Sequence, residues 1–173
     1  MNNIVIRKAE TQDLKQLQEI STETFVQTFA EVNTKEDMDK YLAERLSVTQ
    51  LFAELNDPGS DFYFALLNDQ VIGYLKTNTG AAQTELKETD GLEVERIYVL
   101  KEFKGKNIGP VLLDKAIEIA HDQKAAYIWL GVWEENYRAI RFYEKNGFSV
   151  FDKHIFKLGN DEQTDLMMKR VLL

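Results

Sequence analysis

The stretch from Leu92 to Leu113, LEVERIYVLKEFKGKNIGPVLL, constrains this chain more than any other. Leu92 to Leu100 is rich in β-branched and apolar residues, with Glu93 and Glu95 alternating against them, and this predicts a strand. Lys101 to Asn107 then carries three lysines and a glycine, and Gly109-Pro110 opens an amphipathic run. Proline suits the first helical position, where its missing N–H costs nothing. Gly105 and Asn107 are residue types that adopt a left-handed backbone with little strain. Such a turn gathers free N–H groups at the positive end of a helix, which is a site for phosphate. Two other phosphate-binding patterns, G-x-x-x-x-G-K-[ST] and G-x-G-x-x-G after a strand, do not occur in the sequence.

The rest of the chain arranges itself around that unit. Ile4 to Lys8 reads as a short strand, and Thr11 is placed to cap a helix running to about Phe29 with Leu14, Leu17, Ile20, Phe25 and Phe29 on its buried stripe. Thr34 opens a second helix to about Leu46, and Ser47 a short third one through Leu55. Phe62 to Leu67 and Val71 to Thr77 predict a hairpin closed by Asn68-Asp69-Gln70. Asn78 to Gly91 is polar and patternless, and is expected to be a mobile loop. A helix from Pro110 to about Gln123 leads to the apolar run Ala126 to Val132, which suits a central strand covered on both faces. Asn136 caps a helix ending at Gly147, and Ser149 to Lys157 and Thr164 to Leu172 close the chain as strands, with Leu166, Met168 and Val171 turned inward. The expected order is β-α-α-β-β-β-α-β-α-β-β: one α/β domain over residues 1–173, with a mixed sheet of about seven strands.

Composition narrows the partners. A formal charge of −8 disfavours nucleic acid or an anionic membrane and favours a cationic partner, so Lys101, Lys104 and Lys106 stand out as a local positive island. Without cysteine there is neither a thiolate metal site nor a thiol nucleophile. His121 and His154 form no metal constellation and are expected at the surface or at a helix end. No apolar run is long enough to span a bilayer and no signal-peptide pattern opens the sequence, so the expectation is a cytoplasmic protein, monomeric or homodimeric.

The window Lys104-Gly105-Lys106-Asn107-Ile108-Gly109 resembles the acetyl-CoA-binding motif of the GNAT superfamily of N-acetyltransferases, (Gln/Arg)-x-x-Gly-x-(Gly/Ala), with lysine and asparagine replacing the leading residue and the first glycine. The segment Trp129 to Phe148, WLGVWEENYRAIRFYEKNGF, is similar to the motif that follows it in that family: Asn136, Ala139, Phe142-Tyr143, Lys145, Gly147 and Phe148 all fall in place. Within the superfamily, Glu93 to Tyr98, Ile128 to Glu134, Asp161 to Leu166 and Glu23 to Phe29 look most like the PaiA-type spermidine/spermine N-acetyltransferases.

The resemblance implies transfer of an acetyl group from acetyl-CoA to a primary amine, a polyamine above all, with no metal. A protein or peptide N-acetyltransferase and a non-catalytic CoA-binding sensor are the alternatives. It implies Glu95 as the base that frees the amine, with Glu93 on the same strand face in reserve, and Tyr143 as the acid that protonates the leaving thiolate. Backbone N–H groups of Ile97, Tyr98 and Val99 would meet the pantetheine arm and thioester oxygen. Lys104 through Pro110 (Gly105, Lys106, Asn107, Ile108 and Gly109 between them) would hold the coenzyme phosphates, with Asn136 on the pantetheine and Lys145 within reach of a phosphate. Phe25, Phe29 and Trp133 would offer aromatic faces to a polycation, and Glu31, Glu93 and Glu134 its countercharges.

Overall fold

The computed structural model describes residues 3–172. The elements in chain order are β1 (Ile4–Lys8), α1 (Leu14–Phe29), α2 (Lys35–Arg45), α3 (Val48–Leu55), β2 (Ser60–Leu67), β3 (Gln70–Thr79), β4 (Gly91–Val99), α4 (Ile108–Asp122), β5 (Tyr127–Trp133), α5 (Tyr137–Lys145), β6 (Ser149–Leu158) and β7 (Asp161–Val171). The strands form one sheet in the order β1-β2-β3-β4-β5-β7-β6, in which only β4 and β5 run parallel. The α/β architecture and mixed seven-stranded sheet expected from the sequence are what is observed.

Local chemistry accounts for most boundaries. Thr34, Ser47 and Asn136 cap α2, α3 and α5 by accepting from the N–H of Asp37, Gln50 and Ala139. Thr11 does not cap α1. A reciprocal pair between Glu10 and Asp13 opens a single 3-10 turn, Thr11–Asp13, and the α-helix starts at Leu14. Asn68 and Asp69 both take positive φ, 49° and 66°, which is the backbone that a tight two-residue hairpin needs.

Residues 80–90, expected to be mobile, are tied down instead. Gln83 accepts from the Trp129 indole and donates to the Glu88 carbonyl, at 2.7 and 2.8 Å. Composition misled here because the polar groups turn inward onto fixed partners.

Two apolar layers cover the two sheet faces. One joins α4 and α5 to Leu75, Leu92, Val94, Leu130 and Met168. The other joins α1, α2 and α3 to Phe62, Phe64, Tyr74 and Leu158. Asp37 fastens α2 over the β6–β7 turn by accepting from the Asn160 N–H at 2.8 Å. Gly159, at φ +62°, leaves the space: a Cβ there would lie 2.3 Å from the Asp37 carboxylate. Among the described residues, no helix is long and apolar enough to cross a membrane.

Candidate active site at the split between β4 and β5

Pairing between β4 and β5 covers only four positions, from Gly91↔Tyr127 to Val94↔Leu130. Beyond it β4 remains bonded to β3 as far as Val99, and β5 to β7 as far as Trp133, so the two inner edges part. Leu100 N–H donates to Ile72 O on β3. By alternation along the strand the N–H groups of Ile97 and Val99 point the other way, into the split, whereas that of Tyr98 belongs to β3. The Tyr98 ring stacks on Tyr74 with centroids 6.1 Å apart.

Glu95 stands at the mouth of this split. The register slips between Lys76↔Arg96 and Thr77↔Val94, which leaves Glu95 as the extra residue of a β-bulge. A bulge re-aims its side chains, and here it brings Glu95 and Arg96 together onto the α1–α3 side. There Lys76 contacts both Glu95 and Glu54 of α3, while Arg96 lies 3.1 Å from Glu54 and 3.9 Å from Glu95. Two cations and two carboxylates, all largely buried, therefore form a closed quartet. One atom of each of three members, Glu54 Oε2, Glu95 Oε2 and Arg96 Nη1, is buried without a hydrogen-bond partner; Glu95 Oε2 touches the Lys76 ammonium by distance but not in a bonding direction.

Burial pushes the Glu95 carboxyl up, but Arg96, Lys76 and Arg45 outweigh it and hold the group below its ordinary value. Glu95 is consequently ionised and a weak proton acceptor. Glu93 shares its face, as expected, but is committed: it accepts from Asn78 and from both the N–H and hydroxyl of Thr84. Burial raises its carboxyl against those hydrogen bonds.

On the opposite sheet face Tyr143 is 7% exposed and meets Phe148 edge to face at 5.8 Å. Burial drives its phenol upward, so it stays protonated at any working pH. The Tyr98 phenol is raised too, first by burial and then by Tyr74, Tyr41 and Tyr143.

The turn after β4 has the predicted backbone. Gly105 and Asn107 sit at φ 81° and 68°, and α4 starts at Ile108, two residues before the expected point, with Pro110 still inside its first turn. Among the described residues, the N–H groups of Gly105, Asn107, Ile108 and Gly109 bind no backbone acceptor, and a Cβ on Gly105 or Gly109 would meet nothing within 4 Å. Lys104 is held below its ordinary value by burial and then by the neighbouring charges of Arg138 and Lys101. Three cations converging beside free N–H groups fit a polyphosphate. Arg138, in the first turn of α5, was not singled out from the sequence because only the tertiary fold brings it to Lys104. Lys145 lies at the far end of that helix, about 10 Å along it. The Gln27 side chain holds the turn by accepting from the Lys101 N–H at 2.8 Å.

The remaining candidates divide. Trp133 is half-buried at the end of β5, Asn136 caps α5, and Glu31 and Glu134 are exposed. Phe25 and Phe29 offer no free face: they are 5% and 8% exposed, with Phe25 stacked on Tyr41 at 4.2 Å and Phe29 against Phe156 at 6.4 Å. The helical stripe that suggested them buries both.

A parallel pair that parts beside a helix N-terminus with free N–H groups and converging cations fits an acyl-CoA-dependent transferase. The chain matches the acetyltransferase (GNAT) family model over residues 14–148 and belongs to that family. Its enzymes are N-acetyltransferases that take acetyl-CoA as cosubstrate. An uncharacterised N-acetyltransferase of Lactobacillus delbrueckii subsp. lactis is 39% identical over 173 residues, the full length of both chains. The spermidine N(1)-acetyltransferase of Thermoplasma acidophilum is 29% identical over 154 residues, 87% of this chain and 91% of that one. The crystal structure of PaiA N-acetyltransferase from Thermoplasma acidophilum in complex with coenzyme A superposes with a TM-score of 0.80 at 25% identity, covering 98% and 99% of the two chains.

Proposed function

We propose that this enzyme acetylates a primary amine of a small polycationic acceptor, a polyamine such as spermidine or spermine. The observation that carries the reading is the parting of β4 and β5 beside the free N–H groups of the Gly105–Gly109 turn, with the Glu95–Glu54–Lys76–Arg96 quartet at its mouth. The likeness to a spermidine acetyltransferase supports it.

Acetyl-CoA supplies an activated acyl group on a thiol leaving group. The chain supplies the rest. The free N–H groups of the Gly105–Gly109 turn, with Lys106 on the turn and the cluster of Lys104, Arg138 and Lys101 beside it, bind the phosphates. Asn136 orients the pantetheine. The N–H groups of Ile97 and Val99 face the thioester oxygen; a preorganised donor of this kind contributes about 3 kcal/mol to such transfers. Tyr143 gives its proton to the departing sulfur. Glu95, paired with Lys76 and Arg96 and held low by them, is a fixed part of the quartet and poorly suited to taking the amine's proton.

Thiol release measured with spermidine, spermine, simple monoamines and peptides with free N-termini tests this reading. Spermidine and spermine should give the highest kcat/KM. Turnover of peptides with none on polyamines would replace the reading with a peptide acetyltransferase, and tight acetyl-CoA binding with no turnover on any amine would replace it with a sensor.

A further inference from the structure

The reaction needs a group that takes a proton from an ammonium, and Glu95 is held in a form that takes protons poorly. A second titratable pair lies on the same sheet face, across the split. Gly131 is the first residue of β5 past the last paired position, as Glu95 is on β4. It is exposed although its strand is central. His154 of β6 pairs with Asp165 of β7, and Asp165 with Trp133 of β5. The imidazole leans across β7 so that its Cε1 would lie 3.2 Å from a Cβ on Gly131, with Asp165 Oδ2 at 3.5 Å from the same point.

His154 Nε2 and Asp165 Oδ2 are 3.7 Å apart, too far for a direct hydrogen bond, and both side chains border the notch over Gly131. Neither side chain has a hydrogen bond to any other side chain among the described residues, and His154 Nδ1 is buried without a partner. Such an arrangement is costly unless something else completes it. The missing side chain of Gly131 leaves the notch over this pair open, at the level of the split where Glu95 stands.

We infer that His154 and Asp165 form the proton-accepting site for the acceptor amine, His154 as the base and Asp165 as the carboxylate that shares the ammonium with it. The inference rests on the acetyl-transfer reading above. In the step, an N–H bond of the ammonium breaks and its proton bonds to the imidazole while the freed lone pair attacks the acetyl carbonyl; the C–S bond then breaks, the sulfur leaves as the thiol with the Tyr143 proton, the nitrogen's second proton restores Tyr143, and the imidazolium returns its proton to solvent.

By register the same face carries Trp133 on β5, Asp161, Gln163, Met167 and Lys169 on β7, and Asp152 and Phe156 on β6, so Asp152, Asp161 and Lys169 are the other titratable groups at those positions. From α2 come Asp37, taken up by the Asn160 N–H, and Tyr41, stacked on Phe25. Burial pushes the Asp165 carboxyl up to about 6, with His154 pulling it back.

The test is the pH profile of kcat/KM for spermidine in the parent enzyme, His154→Gln and Asp165→Asn. With a working base the parent profile should show a plateau below amine deprotonation near about pH 10. His154→Gln should lose about 100-fold at neutral pH and climb without a plateau toward that value, because only free amine then reacts. Asp165→Asn should raise KM for the amine. Imidazole added to His154→Ala should restore turnover, which a purely structural histidine would not allow. Should the glutamine variant misfold, Gly131→Ala is the independent probe: its methyl fills the notch and should raise amine KM with the acetyl-CoA Kd unchanged. A His154→Gln profile that keeps the parent's plateau overturns the inference alone, as does an unaltered KM in Gly131→Ala. A parent enzyme that acetylates no amine overturns the acetyl-transfer reading and this inference with it.

Discussion

Replacing Lys76 by methionine should expose how tightly the charge quartet is balanced. The lysine side chain is 4% exposed, and the two carboxylates it meets, Glu54 and Glu95, are 13% and 17% exposed. Removing one partner from a buried ion pair costs about 3–5 kcal/mol, because the other charge is left uncompensated. Arg96 still reaches both carboxylates, at 3.1 and 3.9 Å, which places the expected loss at the lower end, about 3 kcal/mol. In a chain of this size that corresponds to a fall in Tm of about 6–12 °C.

The sign of the pH dependence follows from Glu95, whose native carboxyl lies below its unfolded value. Its contribution is present above the ordinary carboxylate range and disappears as pH falls through the lowered native value. The Tm gap between Lys76→Met and the parent should therefore be widest at neutral pH and narrow in acid. Adding Glu54→Gln should recover part of the loss, since Arg96 and Glu95 are then left as a matched pair. Thermal unfolding of the three proteins from neutral to acidic pH measures this. A shift smaller than about 2 °C at neutral pH, or a gap that widens in acid, would refute the reasoning.

Three other outcomes follow from the same geometry. Tyr143→Phe should lower kcat by about 100-fold or more in a thiol-release assay while acetyl-CoA Kd, read by calorimetry, stays unchanged. Gly105→Ala imposes a side chain at φ 81°, a strain of about 1–2 kcal/mol, and should weaken coenzyme A binding by about 5–30-fold in the same calorimeter. Gln83→Ala strips the buried Trp129 indole of its acceptor, which costs about 1–3 kcal/mol, and should speed amide exchange in residues 84–90 by mass spectrometry.

Much of this molecule could be read from residue order because its signals are local. Thr34, Ser47 and Asn136 were legible as caps, and Gly105 and Asn107 as left-handed positions, since each depends on a residue and its immediate neighbours. The bulge at Glu95 was not legible: it is a property of pairing with β3, which the alternation along β4 does not encode. The quartet escaped for the same reason, its members coming from positions 54, 76, 95 and 96 on three elements. His154 looked like a surface histidine until β7 set Asp165 beside it. Asp161 to Gln163, too polar to read as strand, extends β7 because hairpin pairing with β6 needs only backbone.

The four-position contact between β4 and β5 makes this molecule two half-sheets joined along a short seam. Past that seam, among the described residues, the facing edges of β4 and β5 make no strand pairing with each other. On the proposed reading, a long, amide-bearing reagent laid lengthwise between the halves would act as a borrowed strand, bonding to one side while its bulk props the other. Loading would then be the last stage of folding as much as the first stage of turnover. The filled protein should resist proteases and heat in proportion to how tightly it grips its reagent, whatever amine arrives afterwards.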